Sequence, residues 1–277
     1  MKVREIHQFL KEKGTWVNWP LSCDRILWGD PETEVTGIAV AWMSTLKNLR
    51  VAAEAGCNLF ICHEPLYAAK ANKFDIYIGG SVHDAVDEMR GVPVDDDDVW
   101  VKKAQWLDQH QMVVMRCHDV WDDFPEIGIH GAWAKWLGFA NKPIAQRKFY
   151  EVHDLGDISF GELAEQVRKK VLPLGQPVVL KVGDPATRVH RVAVGTGAIT
   201  DYRIMHYELG ADALILTDDG TRLWESAQWA EDSGIPLLIV NHATAEEPGM
   251  QTLANYLKEQ YPSLVITQIA RGCLYHV

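Results

Sequence analysis

The chain repeats itself. Gly29-Asp30-Pro31-Glu32-Thr33-Glu34-Val35-Thr36-Gly37-Ile38-Ala39-Val40 returns 154 positions later (29 to 183) as Gly183-Asp184-Pro185-Ala186-Thr187-Arg188-Val189-His190-Arg191-Val192-Ala193-Val194. Gly, Asp, Pro, Thr, Val, Ala and Val are identical between the two. The same offset carries Glu54-Ala55-Gly56-Cys57-Asn58-Leu59-Phe60-Ile61 onto Glu208-Leu209-Gly210-Ala211-Asp212-Ala213-Leu214-Ile215. One register kept over about 30 residues marks an internal duplication. Such a chain has to fold as two similar units, and 277 residues are enough for both.

Each half follows one grammar. An apolar strand (35–42 or 189–194) precedes a helix (46–55 or 199–209), and Gly56 or Gly210 suits the left-handed residue that ends it. A short apolar strand follows (58–62 or 212–216). A second helix then ends near Gln109 or Ser233, and another strand comes after it (112–117 or 236–240). Strands alternating with helices predict an α/β fold: two similar αβα halves with mostly parallel sheets. Residues 1–140 form the first half and 141–277 the second. The first carries an extra loop at 65–97, whose acidic run Asp95–Asp98 reads as the cap of a helix beginning near Val99. Ser159-Phe160-Gly161-Glu162 is a capping box opening a helix to about Lys170.

Ligands in α/β sheets gather beyond the carboxyl ends of the strands. Three such ends each deliver a histidine with an acid nearby: His63-Glu64-Pro65, His118 to Asp122, and His242 to Glu246. The last two share a His-x-x-x-acid pattern at matching places in the two halves. Imidazole with carboxylate suits Mn, Fe, Co or Zn, and several carboxylates can hold two ions. The competing reading of each pair is a hydrogen-bonded structural contact. Pro65 keeps Glu64 extended. Strand alternation sends Cys62 and Cys117 to the core and the following histidines outward, so neither thiol reads as a nucleophile. Glu246 stands just ahead of a helix expected to start at Pro248, with Met250, Leu253, Ala254 and Leu257 as its buried stripe. Gly195-Thr196-Gly197 reads as a tight turn. Asp218-Asp219 either faces the same site or serves a turn.

Composition closes other routes. A net charge of −11 gives no basic footprint for nucleic acid or an anionic membrane. Five cysteines without a CxxC spacing argue against a disulfide framework or a zinc ribbon. The start lacks the apolar run of a signal peptide and no apolar run has the length of a membrane span, so the expectation is a cytoplasmic protein.

With these residues in view, the chain resembles the Nif-three-like dinuclear metal-centre family, the GTP cyclohydrolase 1 type 2 homologues. The likeness runs from Gly29-Asp30-Pro31 through Ile61-Cys62-His63-Glu64-Pro65-Leu66, His118 to Asp122, Gly128-Ile129 and Trp136-Leu137-Gly138. It continues through Gly195-Thr196-Gly197 and Gly210-Ala211-Asp212 to His242 and Glu246. The resemblance implies two similar α/β domains with the metal site in the cleft between them, assembled as a homo-hexamer. It implies one or two divalent ions (Mn, Fe or Zn) held by His63, Glu64, Asp122, His242 and Glu246. Glu64 stands where the family usually has a second histidine, which makes the site more anionic. The functional expectation is a metal-dependent hydrolase acting on a nucleotide-like small molecule. The alternative is a non-catalytic metal-binding regulatory or scaffold protein.

Overall fold

A computed structural model describes residues 1–67, 99–139 and 142–270. The extra loop beyond Tyr67, its acidic run Asp95–Asp98, and Cys273 lie outside the described residues. The described chain packs as two compact units. One is Met1–Phe124 together with the residues from Met250 onward; the other is Pro125–Gly249. These boundaries are drawn at other residues than the sequence halves, because the late strand β11 (Val265–Gln268) pairs with β2 (Gly37–Ala41) of the first unit.

The first unit's sheet has the order β1-β4-β3-β2-β11, where β1 is Ile26–Trp28, β3 is Leu59–Cys62 and β4 is Val113–Arg116. The second unit's sheet has the order β5-β6-β8-β9-β10-β7. There β5 is Ala145–Arg147, β6 Tyr150–Ser159, β7 Leu180–Val182, β8 Arg188–Gly195, β9 Ala213–Thr217 and β10 Leu237–Val240. Each contains the same four-strand block, β1-β4-β3-β2 in one and β7-β10-β9-β8 in the other. In both, three strands run parallel and the outermost is antiparallel. The sheets are therefore mixed. Parallel ladders need crossover helices, whereas β5, β6 and β8 are joined antiparallel.

The duplication holds at the level of single bonds. Ile38 pairs with Leu59 and Val192 with Ala213, each 154 positions apart from its counterpart (38 to 192, 59 to 213). Asn58 Oδ1 accepts the Thr36 amide at 2.8 Å, and Asp212 Oδ1 accepts the His190 amide at 3.0 Å. Asp30 and Asp184 each close the same turn, accepting from Glu32 and Ala186 at 2.8 Å. A Cβ on Gly29 would meet Val113, and one on Gly183 would meet Pro236. From there on the offset is 123 (113 to 236), because the first half is longer between β3 and the helix Val99–Gln109.

The cores follow from the apolar strands. In the first unit Ala39, Phe60, Val114 and Leu107 are buried around one face of the sheet. In the second, Trp133, Phe160, Val192, Ile215 and Val240 fill one face, and Tyr150, Ala193, Met205 and Leu214 fill another. The Ser159–Glu162 capping box opens the helix Phe160–Val171 as expected. Two helices differ from expectation. The helix read at 199–209 is shorter, 202–208, and its last five residues, Ile204–Glu208, form a π turn, with the Leu209 amide bonded to the Ile204 carbonyl. The last helix begins at His242 rather than Pro248 and runs to Gln260. Asn241 caps it, its Oδ1 accepting the Thr244 amide at 3.3 Å, so Pro248 lies inside the helix. The expected stripe of Met250, Leu253, Ala254 and Leu257 is fully buried. Among the described residues, no helix is long and apolar enough to cross a membrane.

Candidate functional site

In the first unit, β3 ends where the His63 and Glu64 amides both donate to the Trp42 carbonyl. The His63 ring lies 3.3 Å by Nδ1 from the Cys117 carbonyl. That contact assigns the proton to Nδ1 and gives Nε2 a lone pair, which faces Asp122 Oδ1 at 3.5 Å. His118 stacks on His63, with ring centroids 4.3 Å apart and planes at 18°. Its Nδ1 is 3.3 Å from Asp122 Oδ2 and 3.0 Å from Asp119 Oδ1. One ligand atom each of His63, His118 and Asp122 lies within 4.8 Å of the other two. A ligand atom of Glu64 lies within the same distance of His63. Glu64 also faces the buried Arg116, Nη2 to Oε2 at 3.6 Å, while Arg116 Nε donates to the His63 carbonyl at 2.7 Å.

The short helix Asp119–Asp122 that presents these groups is held from outside. Asp24, buried and 94 to 96 positions away in sequence, accepts the amides of His118 (2.5 Å), Asp119 (3.1 Å) and Val120 (2.8 Å). Burial, and then the Asp119 carboxylate, push the Asp24 pKa above its ordinary value. Burial also opposes charge on the His118 ring, but Asp122 and Asp119 outweigh it and hold that ring well above the usual histidine range.

In the second unit, His242 is the first residue of its helix, and Glu246 lies one turn on. Their Nε2 and Oε1 are 2.8 Å apart. Asp219 Oδ2 meets Nδ1 of the same ring at 2.8 Å. Asp218 accepts the His242 amide at 2.9 Å and the Asn241 side chain at 2.8 Å. Burial disfavours the imidazolium here too, yet Glu246 and Asp219 raise its pKa to about 11. The Gly195-Thr196-Gly197 segment is a turn. Gly197 has φ +72°, its carbonyl accepts Thr217 Oγ1 at 2.6 Å, and Thr196 Oγ1 meets His130 Nδ1 at 2.7 Å.

Each unit, taken by itself, brings some of the five residues singled out from sequence together. His63, Glu64 and Asp122 gather in the first unit, and His242 with Glu246 in the second. Three local expectations change. The His63 side chain is fully buried rather than outward, because it follows β3 into the packed strand end. The two His-x-x-x-acid patterns are one residue out of step, since Cys62 pairs with Arg116 and its counterpart Leu216 with Ile239. That register makes His118 the equivalent of Asn241. Glu246 lies on the helix and not ahead of it. Cys62 and Cys117 are buried as expected, and burial pushes the Cys62 thiol up to about 12. Sequence reasoning passed over Asp119, Asp24 and Cys23, and left Asp219 undecided between turn and site. Only Asp219 carried a signal, through its place after β9.

The donor chemistry of the first unit's group fits a divalent ion. Ligands about 2.0–2.3 Å from a tetrahedral ion lie roughly 3.3–3.8 Å from one another, and the contacts of Asp122 with His63 and His118 are 3.5 and 3.3 Å. The second nitrogens of His63 and His242 are each turned to an oxygen acceptor, the usual outer support of a metal-binding imidazole.

A search among curated proteins finds no match. Solved structures share the fold. Staphylococcus aureus protein SA1388 superposes with a TM-score of 0.76 at 19% identity, covering 100% of this chain and 99% of that one. A Bacillus cereus protein related to NIF3 gives 0.76 at 13% identity, over 100% and 99%. Reduced HcgD from Methanocaldococcus jannaschii gives 0.67 at 19% identity, over 97% of each chain. The family model Duf34/NIF3 (NGG1p interacting factor 3) matches residues 93–271, well over half of the sequence. The chain belongs to the DUF34/NIF3 family.

Proposed function

We propose that this chain is a metal-dependent hydrolase, cyclohydrolase- or phosphohydrolase-like, acting on a nucleotide-like or phosphorylated small molecule. His63, Glu64, Asp122, His242 and Glu246 hold one or two divalent ions, Mn, Fe or Zn. The observation that carries this reading is the pairing of His63 with Asp122 at coordination spacing in the first unit. A divalent ion supplies Lewis acidity, acidifying water and polarising a phosphoryl or carbonyl oxygen. The chain's own part is placement. The Cys117 carbonyl and Asp219 orient the two rings by their Nδ1 protons, and Arg116 fixes the strand end by bonding the His63 carbonyl. A homo-hexamer is what the family resemblance implies, and the exposed Trp224 (73%) and Tyr207 (66%) of the second unit support self-association.

One observation favours the non-catalytic reading. Glu64 is engaged by a buried guanidinium, and a ligand so engaged binds metal less readily. Both readings are tested on protein purified without chelator, by elemental analysis and by a panel of nucleotides and phosphoesters with Mn, Fe or Zn. The expected result is bound metal, metal-dependent turnover, and loss of metal in His242→Ala and His63→Ala. Bound metal without turnover selects the regulatory reading. Unchanged metal in both variants removes the ligand assignment.

A further inference from the structure

Cys23 lies in the loop ahead of β1, 95 positions before His118, and no repeat or strand-end pattern points to it. Its Sγ is 3.7 Å from Asp119 Oδ1, and its amide donates to Asp119 Oδ2 at 3.3 Å. The same Asp119 Oδ1 is 3.0 Å from His118 Nδ1. One donor atom each of Cys23, His118 and Asp119 lies within 4.8 Å of the others. Thiol, imidazole and carboxylate thus converge with the mutual spacing of ligands around a small ion. The set is reachable from solvent. Cys23 is half-buried, and the His118 and Asp119 side chains are 28% and 36% exposed.

The position of the thiol is anchored. Asp24, next in sequence, ties the loop to the helix by its three amide contacts, so Cys23 is brought to Asp119 by buried, well-satisfied bonds. Cys57, Cys62 and Cys117 are buried, so among the described cysteines Cys23 alone is partly exposed.

We infer that Cys23, His118 and Asp119 form a sulfur-bearing metal site, taking a thiophilic divalent ion such as Zn, Co or Fe(II). Binding forms a metal–sulfur bond and releases the thiol proton to solvent. His118 also borders Asp122, but none of the three ligands belongs to the set proposed above, so the inference goes beyond that reading and the test separates the two.

Cobalt(II) is titrated anaerobically into metal-free protein with a non-thiol reductant, and absorbance is followed. The expected spectrum has a thiolate-to-cobalt charge-transfer band in the near ultraviolet. Cys23→Ser loses that band but keeps the visible cobalt bands of ions held elsewhere. His63→Ala and His242→Ala keep the charge-transfer band. Visible cobalt bands without a charge-transfer band in the wild-type protein overturn the Cys23 site and leave the first reading standing. A charge-transfer band that survives Cys23→Ser overturns it as well, since the sulfur is then another cysteine. A charge-transfer band unchanged in His63→Ala and His242→Ala, with no other cobalt signal in any variant, sinks the first reading and keeps this one. Far-ultraviolet circular dichroism confirms that the serine variant is folded.

Discussion

The two duplicated blocks share strand order, register and turns, yet they finish their strand ends by different means. In the first, the helix after β4 is a single turn, Asp119–Asp122, and cannot stabilise itself. Asp24, reaching in from the loop before β1, takes three of its amides. In the second, Gln176 stands in the corresponding loop and accepts one amide, that of Asn241, at 3.1 Å. The helix there runs 19 residues and carries its own cap in Asn241. A long helix needs little outside help, so an uncharged amide suffices. A one-turn helix needs a concentrated acceptor, and the carboxylate that serves adds a buried acid to a cluster already rich in them.

That contrast predicts the largest effect. Asp24→Ala leaves three amides without an acceptor and is expected to cost about 3 kcal/mol or more, at roughly 1 kcal/mol per lost bond. Gln176→Ala removes two bonds, that from the Asn241 amide and that to the Val178 carbonyl at 2.9 Å, and is expected to cost about 2 kcal/mol. Urea unfolding of both variants measures the difference. Equal costs would show that the short helix is held by something other than Asp24.

A second difference lies on the helices that pack behind the sheets. Ala104-Gln105-Trp106 matches Ala227-Gln228-Trp229 at the offset of 123 (104 to 227), so Lys103 takes the place of Ser226. Both are buried. Ser226 is satisfied by the Arg222 carbonyl at 3.0 Å and by Thr221 at 2.8 Å. Lys103 has its pKa lowered from 10.5 to about 8, chiefly by burial, with Cys62 opposing. The sign follows from linkage. Between pH 8 and 10.5 the unfolded chain binds the proton and the folded one does not, so stability rises with pH there. The penalty is full below pH 8 and gone above 10.5. Lys103→Met is therefore expected to be more stable at pH 7 by about 3 kcal/mol, and the two unfolding curves should converge near pH 10.5. A gain independent of pH would mean that packing, not charge, separates the two halves at this position.

The parts of this molecule that were legible in the sequence are those set by local patterns. The offset of 154 predicted two similar halves, which the matching ladders of β2 with β3 and β8 with β9 bear out, and apolar runs placed six strands within one or two residues. That His63, Asp122, His242 and Glu246 stand at or just beyond strand ends was legible, because each follows an apolar run. The helix at His242 was misread because a proline at a first turn is a stronger textual cue than Asn241, whose cap forms only once β10 delivers it. The out-of-step equivalence of His118 and His242 was hidden because the pattern matched while the ladder did not. Asp24 and Cys23 act over separations of 94 to 96 residues, through contacts that exist only after β1 pairs with β4. No period or spacing encodes such a pairing.

The smallest effect tests the symmetry itself. Gly56 and Gly210 end equivalent segments with φ of +76° and +70°, a conformation that costs an alanine about 1 kcal/mol. Their surroundings differ. A Cβ at Gly56 meets nothing within 4 Å, whereas one at Gly210 meets Arg191 Nη1 at 3.2 Å. That atom is the far end of a flexible side chain and can give way. Gly56→Ala and Gly210→Ala are therefore expected to lower stability by the same amount, about 1 kcal/mol each, through backbone strain alone. Thermal unfolding of the two single variants and of the double variant checks this, with additive losses expected because a Cβ at Gly56 meets nothing that one at Gly210 meets. A distinctly larger loss at Gly210 would show that Arg191 is rigid. The second block would then have replaced a purely conformational glycine with one that its own packing also requires.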